Sequence, residues 1–176
     1  MEKTINQSKQ VKQILEGKIF IYPTDTIYGI GCNAYNQDSV EKIKQIKARD
    51  RDKPLSIIAP SFEWIEKNCI INVDLKKYLP GPYTILLQKK NPSFLNHVST
   101  NEFLGIRIPK CHFSEKVKKA EVPFITTSIN LSGEPFAKNI EEIPKQILDK
   151  VDVIIDEGEL NGIPSTLIKN GKEISR

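Results

Sequence analysis

The chain carries Pro23-Thr24-Asp25-Thr26-Ile27-Tyr28-Gly29-Ile30-Gly31 directly after an apolar run, residues 19–22, that predicts a strand. This segment places two hydroxyl groups, a carboxylate, a phenol and two glycines where that strand is expected to end. Its composition favours a binding site, because glycine lets a backbone approach a ligand closely and ligands of open α/β sheets lie beyond strand ends. A turn that begins at Pro23 and satisfies the hydroxyls internally is an equally good interpretation of the segment alone.

Helix-like and strand-like segments alternate along all 176 residues, and this alternation predicts mixed α/β layers. The length suits one domain with a full core, so we expect a single mixed α/β (α+β) domain over residues 1–176. A twisted central sheet should be flanked by helices. Further strands are predicted at 55–59, 85–87, 103–108, 124–129 and 151–155.

Local signals predict where some helices and turns begin. Asp38 with Glu41 is expected to form the capping box of a second helix. Asn139 is expected to begin a helix that ends near Lys150. Asn170-Gly171, between two short apolar runs, predicts a closing hairpin.

Composition excludes several classes of protein. Charged residues make up 27% of the chain, and no stretch approaches the roughly 20 apolar residues that a membrane-spanning helix requires. The N-terminus lacks the apolar core of a signal peptide, so we expect a cytoplasmic protein without membrane contact. Three scattered cysteines and two histidines offer neither a zinc ligand set nor a catalytic triad. The formal charge of +4 suits an anionic ligand, either a nucleotide or a nucleic acid.

Four cations fall within seven residues at the end of the predicted second helix: Lys47, Arg49, Arg51 and Lys53. The helix dipole favours cations at a C-terminus, so a solvated helix end explains them without a function. If the following strand lies inside the sheet, these side chains stand at one rim of the sheet and can converge on phosphate oxygens. Both interpretations stay open on the residues alone.

Arg107 lies in Gly105-Ile106-Arg107-Ile108-Pro109, where alternation places the isoleucines on one face of a strand and the arginine on the other. A guanidinium with such neighbours needs a partner, because burying it alone would cost several kcal/mol. A structural salt bridge and a bidentate contact with a ligand carboxylate are equally good interpretations.

Two further segments bring hydroxyl groups to predicted strand ends, residues 126–133 and Pro164-Ser165-Thr166. Side-chain turns are the commoner use of such residues. The sequence contains neither a G-x-x-x-x-G-K-[ST] phosphate loop nor a G-x-G-x-x-G fingerprint. The residues alone therefore predict a polar ligand site without one of these motifs.

Six of these segments, in order, closely resemble the successive motifs of the YrdC/Sua5/TsaC family. They are residues 23–32, residues 47–49 with 53–55, residues 80–84 (Pro-Gly-Pro-Tyr-Thr), residues 105–109, residues 127–133 and residues 164–166. The resemblance covers nearly the whole chain and implies a YrdC-like fold with a concave basic cavity. It also implies an L-threonylcarbamoyladenylate synthase, a nucleotidyltransferase that condenses L-threonine, bicarbonate or CO2, and ATP, with release of pyrophosphate. The product would serve formation of N6-threonylcarbamoyladenosine in tRNA.

The same resemblance implies roles for individual side chains. It implies threonine contacts for Thr26, Arg107, Ser128 and Ser165, and ATP contacts for Lys47, Arg49, Lys53, Asn130 and Arg176. Catalysis would rest on positioning and electrostatics, with no protein nucleophile and no resident metal, and with Mg2+ entering together with ATP. The implied partners are downstream proteins that transfer the threonylcarbamoyl group to tRNA, while a weak direct contact with tRNA stays open.

The sequence departs from the family pattern in three places. Asp50 stands where a proline usually follows Lys-x-Arg, and Ile129 replaces the small residue of the usual Ser-Ala-Asn. The chain also ends at Arg176, as in the short single-domain form without an additional C-terminal domain.

Two alternatives remain at this point. One is an RNA-binding module that uses the same basic cavity, although aromatic residues, at 7%, do not interleave with the basic cluster as stacking platforms would. The other is a carbamoyl-transferring relative of the same fold that uses carbamoyl phosphate. Such relatives are usually much larger chains with zinc-finger and acylphosphatase segments.

Overall fold

The structure, a computed structural model, describes residues 2–50, 52–130 and 134–175, with side chains from residue 8 onward. The helices of these ranges are α1 Glu2–Leu15, α2 Gln37–Ile46, α3 Phe62–Asn68, α4 His112–Ala120 and α5 Lys145–Leu148. The strands are β1 Phe20–Tyr22, β2 Gly29–Gly31, β3 Ser56–Ile58, β4 Cys69–Ile70, β5 Tyr83–Lys89, β6 Phe103–Arg107, β7 Phe124–Ser128, β8 Val153–Ile154, β9 Thr166–Lys169 and β10 Lys172–Ile174. None of the helices in the described ranges combines the length and apolar character needed to cross a bilayer.

The strands form one mixed sheet in the order β10-β9-β5-β6-β3-β7-β2-β1-β8, with β4 paired to β5. β3 lies inside the sheet, parallel to β6 and antiparallel to β7. β1 and β2 form a wide hairpin whose loop is residues 23–28. The mixed α/β prediction is therefore confirmed, and the strand that follows the basic cluster is interior, as the phosphate-binding interpretation of that cluster required.

One face of the sheet carries an aromatic cluster at one end. Tyr22 of β1 stacks on Phe113 of α4 with ring centroids 4.1 Å apart, and Phe124 of β7 meets Phe113 edge-on at 5.0 Å. Ile14 of α1 and Phe20 complete this buried cluster, which α1 and α4 cover. The opposite face carries the larger apolar core, to which α2 and α3 contribute. Helices thus cover both faces.

The glycines of β2 serve close packing within the sheet. A Cβ at Gly31 would lie 1.8 Å from the carbonyl oxygen of Ile125 on the neighbouring strand, a distance that no real side chain tolerates. A Cβ at Gly29 would meet the ring of Tyr22 at 2.9 Å. The sequence suggested that these glycines admit a ligand. In the structure Gly31 admits a neighbouring backbone and Gly29 admits an aromatic ring, and Gly29 also borders the cavity described below.

Two helix predictions were wrong in detail. The N-cap of α2 is Asn36, whose side-chain oxygen accepts the N–H of Ser39, so Asp38 lies inside the first turn instead of capping it. The helix expected from Asn139 to near residue 150 is interrupted. Asn139 caps a single 3-10 turn, and Pro144 then forces extended backbone on the residue before it, so α5 starts afresh.

The closing hairpin was predicted correctly. Asn170 and Gly171 both adopt positive φ, 52° and 73°, which the right-handed twist of a tight two-residue turn requires. The turn joins β9 to β10 at the edge of the sheet. Asparagine and glycine are the residues that reach this backbone region at least cost, which explains why the signal was legible in the sequence.

Candidate functional site

A polar cavity lies over the other end of the sheet face that carries the aromatic cluster. Strand register pairs Ser56 with Gly105 on one side and with Thr126 on the other, so the three residues share a face. Two residues further along their strands, Arg107 and Ser128 lie on the same face. The cavity is lined by Thr24, Ile27, Tyr28, Gly29, Arg49, Pro54, Leu55, Ser56, Thr84, Arg107, Thr126, Thr127, Ser128, Pro164 and Ser165.

The enclosed volume of this cavity is about 130 Å³. This is below the roughly 300–1,000 Å³ of pockets for drug-sized ligands, so a nucleotide-sized ligand has to extend out of it. Two larger hollows have volumes of about 630 and 770 Å³, and the larger one shares Thr24 with this cavity. Among the described residues, neither is lined by a predicted site residue. The small cavity is the candidate site because its polar groups converge. The segment at 23–31 had suggested a site beyond the strand ends. The cavity lies over the sheet face instead.

Arg107 is buried at the wall of this cavity, with 8% of its side chain exposed. Its Nη2 donates to Oδ1 of Asp25 at 2.9 Å and to Oγ1 of Thr26 at 3.3 Å. Burial lowers the pKa of Arg107, and the adjacent Asp25 carboxylate opposes that shift. Its Nε is buried and has no hydrogen-bond partner in the described part of the chain. The salt bridge that the sequence left open is thus present, and one buried donor remains unused.

Lys47 follows α2 and is 2% exposed. Its Nζ donates to the carbonyl oxygens of Ser128 and Asn130 and, at 3.1 Å, to Oδ1 of Asn130. These three acceptors match the three protons of an ammonium group. Burial, followed by the nearby charges of Arg49 and Lys53, lowers the pKa of Lys47 from 10.5 to about 7. Lys47 therefore ties the end of α2 to the segment after β7 and changes charge near neutral pH.

Arg49 reaches the cavity from the connection between α2 and β3. Its Nη2 donates to the carbonyl oxygen of Pro54 at 2.7 Å, which holds the guanidinium against its own loop. Burial lowers the pKa of Arg49. Lys53 is exposed and does not line the cavity. The cluster is therefore divided into a buried amine, a guanidinium at the cavity and an outward lysine.

Hydroxyl groups on or next to the remaining wall form close pairs. Oγ of Ser165 and Oγ1 of Thr84 lie 2.7 Å apart, and both residues are buried. Oγ1 of Thr24 lies 3.0 Å from Oγ1 of Thr26. The hydroxyl of Ser128 donates to Oδ1 of Asn130 at 2.7 Å. Hydroxyls both donate and accept, so this wall can serve a ligand that carries either kind of group.

A strap, residues 156–165, crosses the loop between β1 and β2. The hydroxyl of Tyr28 donates to the carbonyl oxygen of Gly158 at 2.7 Å and accepts the N–H of Glu157 at 2.9 Å. A Cβ at Gly162 would lie 2.0 Å from the carbonyl oxygen of Thr26, so the strap runs tightly over that loop. Tyr28 both borders the cavity and anchors the strap.

The structure brings most of the predicted site residues together. Arg49, Arg107, Ser128 and Ser165 line the cavity, Thr26 contacts Arg107, and Lys47 and Asn130 lie behind Ser128. Lys53 is exposed and is not among the lining residues. Arg176 lies outside the described residues, as do Arg51 and residues 131–133. The ligand roles of all these residues stay predictions.

Sequence reasoning missed three residues of the site. Ser56 lines the cavity from within a predicted strand, where a hydroxyl in an otherwise apolar run was the available signal. Thr84 also lines it and ends the segment at 80–84, directly before the apolar run at 85–87. Asp25 stood inside the segment at 23–31 but was given no role, although its carboxylate holds Arg107. Its partner is 82 residues away, so no local pattern could reveal the pair.

A buried guanidinium, a second one at the rim and several hydroxyls place a polar cavity over the sheet of a mixed α/β protein, an arrangement that suits a small anionic ligand. The model of the Sua5/YciO/YrdC family, described as "Telomere recombination", matches residues 12–176. The chain belongs to this family, as the motif resemblance had indicated.

Relatives with names that state an activity are similar over most of this chain. A "Putative threonylcarbamoyl-AMP synthase" of Methanocaldococcus jannaschii is 44% identical over 163 residues, which are 90% of this chain and 77% of the relative. A "Threonylcarbamoyl-AMP synthase" of Pyrococcus abyssi is 33% identical and covers 88% of this chain, which spans 48% of that relative. The crystal structure of P. abyssi Sua5 complexed with L-threonine superposes with a TM-score of 0.80 at 30% identity, covering 93% of this chain and 50% of its own. The chain thus spans about half the length of the Pyrococcus proteins.

Proposed function

We propose that this protein is a threonylcarbamoyl-AMP synthase, which makes threonylcarbamoyl-AMP and pyrophosphate from L-threonine, bicarbonate or CO2, and ATP. Membership of the Sua5/YciO/YrdC family supports the proposal, as do the names of the similar proteins. The product is consumed in the formation of N6-threonylcarbamoyladenosine in tRNA. In this reaction the protein acts as a nucleotidyltransferase, since it transfers the adenylyl group of ATP.

One observation carries the proposal at the level of the site. Arg107 presents a buried Nε with no partner among the described residues at the wall of a cavity that fits an amino acid in size. A buried donor without an acceptor is costly, and a ligand carboxylate satisfies it with a charge-assisted hydrogen bond. The hydroxyls of Thr26 and Ser165 stand within the same region and can meet the remaining polar groups of threonine.

The chemistry needs no protein nucleophile. The amine of threonine adds to CO2 and gives a carbamate, and a carbamate oxygen then attacks the α-phosphorus of ATP as pyrophosphate leaves. Holding the carbamate and the α-phosphorus in contact converts a reaction between separate molecules into an effectively unimolecular step. Arg49 and the charge of Lys47 neutralise the developing charge on the phosphates. Lys53 contributes to the field from outside the cavity.

Magnesium enters this reaction as part of the substrate MgATP. Among the described residues no group of three or more acidic, histidine or cysteine side chains is placed to hold a metal ion. The carboxylate of Asp25, which contacts Arg107, accepts from protein donors on both oxygens. In this proposal the ion is carried by phosphate oxygens and water, which is the usual state of Mg2+ at nucleotides.

The test is pyrophosphate release by the purified protein with MgATP, bicarbonate and L-threonine. We expect release that depends on all three and that falls strongly when L-serine replaces L-threonine. Asp38→Asn, an exposed change in the first turn of α2, is the matched control and should leave the rate unchanged. Release that does not respond to omission of threonine would refute the proposal. Salt-sensitive RNA affinity indifferent to threonine would favour the RNA-binding alternative.

A further inference from the structure

The contact between Asp25 and Arg107 is one-sided. The described residues offer two acceptors to the guanidinium, Oδ1 of Asp25 and Oγ1 of Thr26. Both accept from the same nitrogen, Nη2. An arginine that serves only as a salt-bridge partner commonly uses two nitrogens in a parallel pair of bonds. Here Nε, also buried, is left over within the part of the chain that the structure describes. The pair therefore fixes the guanidinium and still keeps a donor free.

Asp25 is itself held from two sides. Its Oδ1 accepts from Arg107, and its Oδ2 accepts the backbone N–H of Lys110 at 2.9 Å. The side chain is 12% exposed. Lys110 lies three residues after the end of β6, so the carboxylate bridges the loop between β1 and β2 to the segment that follows the strand bearing the arginine. Both oxygens of Asp25 are occupied and its position is determined.

We propose that Asp25 is a positioning residue, which holds the guanidinium of Arg107 so that Nε points at the carboxylate of the bound amino acid. This inference rests on the proposed function, because it names how the threonine subsite is set. Asp25 does not touch the substrate; it acts through Arg107. It also offsets the charge of the guanidinium, so selection depends on the direction of the Nε–H more than on net attraction.

An amide cannot replace this carboxylate. Asparagine at position 25 offers one acceptor oxygen, whereas Arg107 Nη2 and the N–H of Lys110 both donate to the native side chain. Whichever way the amide turns, an NH2 group faces one of the two donors. Asp25→Asn therefore keeps the shape of the side chain and releases the guanidinium or strains the end of β6.

The experiment measures the preference for a carboxylate directly. Calorimetry with L-threonine and with L-threoninol, which lacks only the carboxylate, is carried out on the wild type, Asp25→Asn and the control Asp38→Asn. We expect the wild type and the control to bind L-threonine at least tenfold more tightly than L-threoninol. In Asp25→Asn this ratio should fall below threefold, while the Kd for MgATP stays within twofold.

Each result decides between the two levels of the argument. If Asp25→Asn keeps the tenfold preference, or loses MgATP and threonine binding in the same proportion, Asp25 is only structural and the inference is overturned. If the wild type shows no preference and releases no pyrophosphate with threonine, the proposed function fails, and the role of Asp25 fails with it. Should Asp25→Asn not fold, the same ratio is measured for Asp25→Glu, which keeps the two acceptors but moves them by one methylene. A ratio below threefold then supports the inference, and a kept tenfold preference overturns it.

Discussion

Raising the pH from about 6 to about 8 changes the charge of a buried amine beside the proposed phosphate site. The pKa of Lys47 is lowered to about 7, mainly by burial, so the free protein holds that proton only in part at neutral pH. Nucleotide phosphates bound nearby favour the charged amine and return its pKa toward the ordinary value. MgATP binding is therefore expected to take up a proton.

The size of the uptake follows from the two pKa values. With a free pKa of about 7 and a bound pKa well above 8, the uptake at Lys47 is about 0.1, 0.5 and 0.9 proton at pH 6, 7 and 8. Above pH 7 the Lys47 contribution weakens binding by up to about tenfold per pH unit, or about 1.4 kcal/mol. Without nucleotide, the lowered pKa of Lys47 also makes the stability of the fold depend on pH. The cost of the buried charge is fully present below pH 7 and is relieved as the pH rises toward 10.5.

The assay is calorimetry of MgATP binding in buffers of different ionisation enthalpy at each pH. Lys47→Met cannot titrate, so it gives the proton uptake of the nucleotide and all other groups. Its melting temperature shows whether the fold tolerates loss of the contact between Lys47 and the carbonyl oxygen of Ser128. The difference between the two proteins is the quantity predicted. A difference near zero at pH 8, or one that does not rise between pH 6 and 8, would refute the assignment of a near-neutral pKa to Lys47.

Three further substitutions test other parts of the structure. Arg107→Ala should weaken L-threonine binding by on the order of 2 kcal/mol or more in calorimetry while MgATP binding persists, and equal loss of both ligands would contradict this. It should also lower the melting temperature, because Asp25 loses its counter-charge. Gly31→Ala should destabilise the fold by about 3 kcal/mol in urea denaturation, since its methyl group would collide with the Ile125 carbonyl; an unchanged midpoint would contradict the packing argument. Tyr28→Phe should lower the free energy of unfolding by about 1–2 kcal/mol and speed backbone hydrogen exchange at residues 156–158. Unchanged exchange would show that the strap is held by other contacts.

Much of the fold was predictable because its signals are local. The apolar runs that became β3, β6 and β7 and the Asn170-Gly171 turn are each decided by a few adjacent residues. The error at the second helix has the same origin, since Asn36 and Asp38 are both good caps and only the path of the chain after β2 selects between them. Pro144 was visible in the sequence and outweighed the capping signal before it.

The site was predictable only as an inventory of residue types. The alternation around Arg107 correctly separated it from the isoleucines, because a strand fixes which side chains share a face. Its partner could not be inferred, since register between distant strands brings Asp25 to it. The same holds for Lys47, whose acceptors lie on a segment more than 80 residues away. Its burial follows from that contact and not from its own neighbours.

One face of the sheet carries aromatic side chains toward one end and polar side chains toward the other, and the strands run through both parts without a break. Phe124 and Ser128 belong to the same strand, so one continuous backbone joins the floor of the proposed ligand site to the aromatic packing under α1 and α4. We expect that repacking those rings would shift the hydroxyls of the proposed ligand site without altering any of its residues. The packing of the aromatic cluster therefore bears on the geometry of the proposed ligand site.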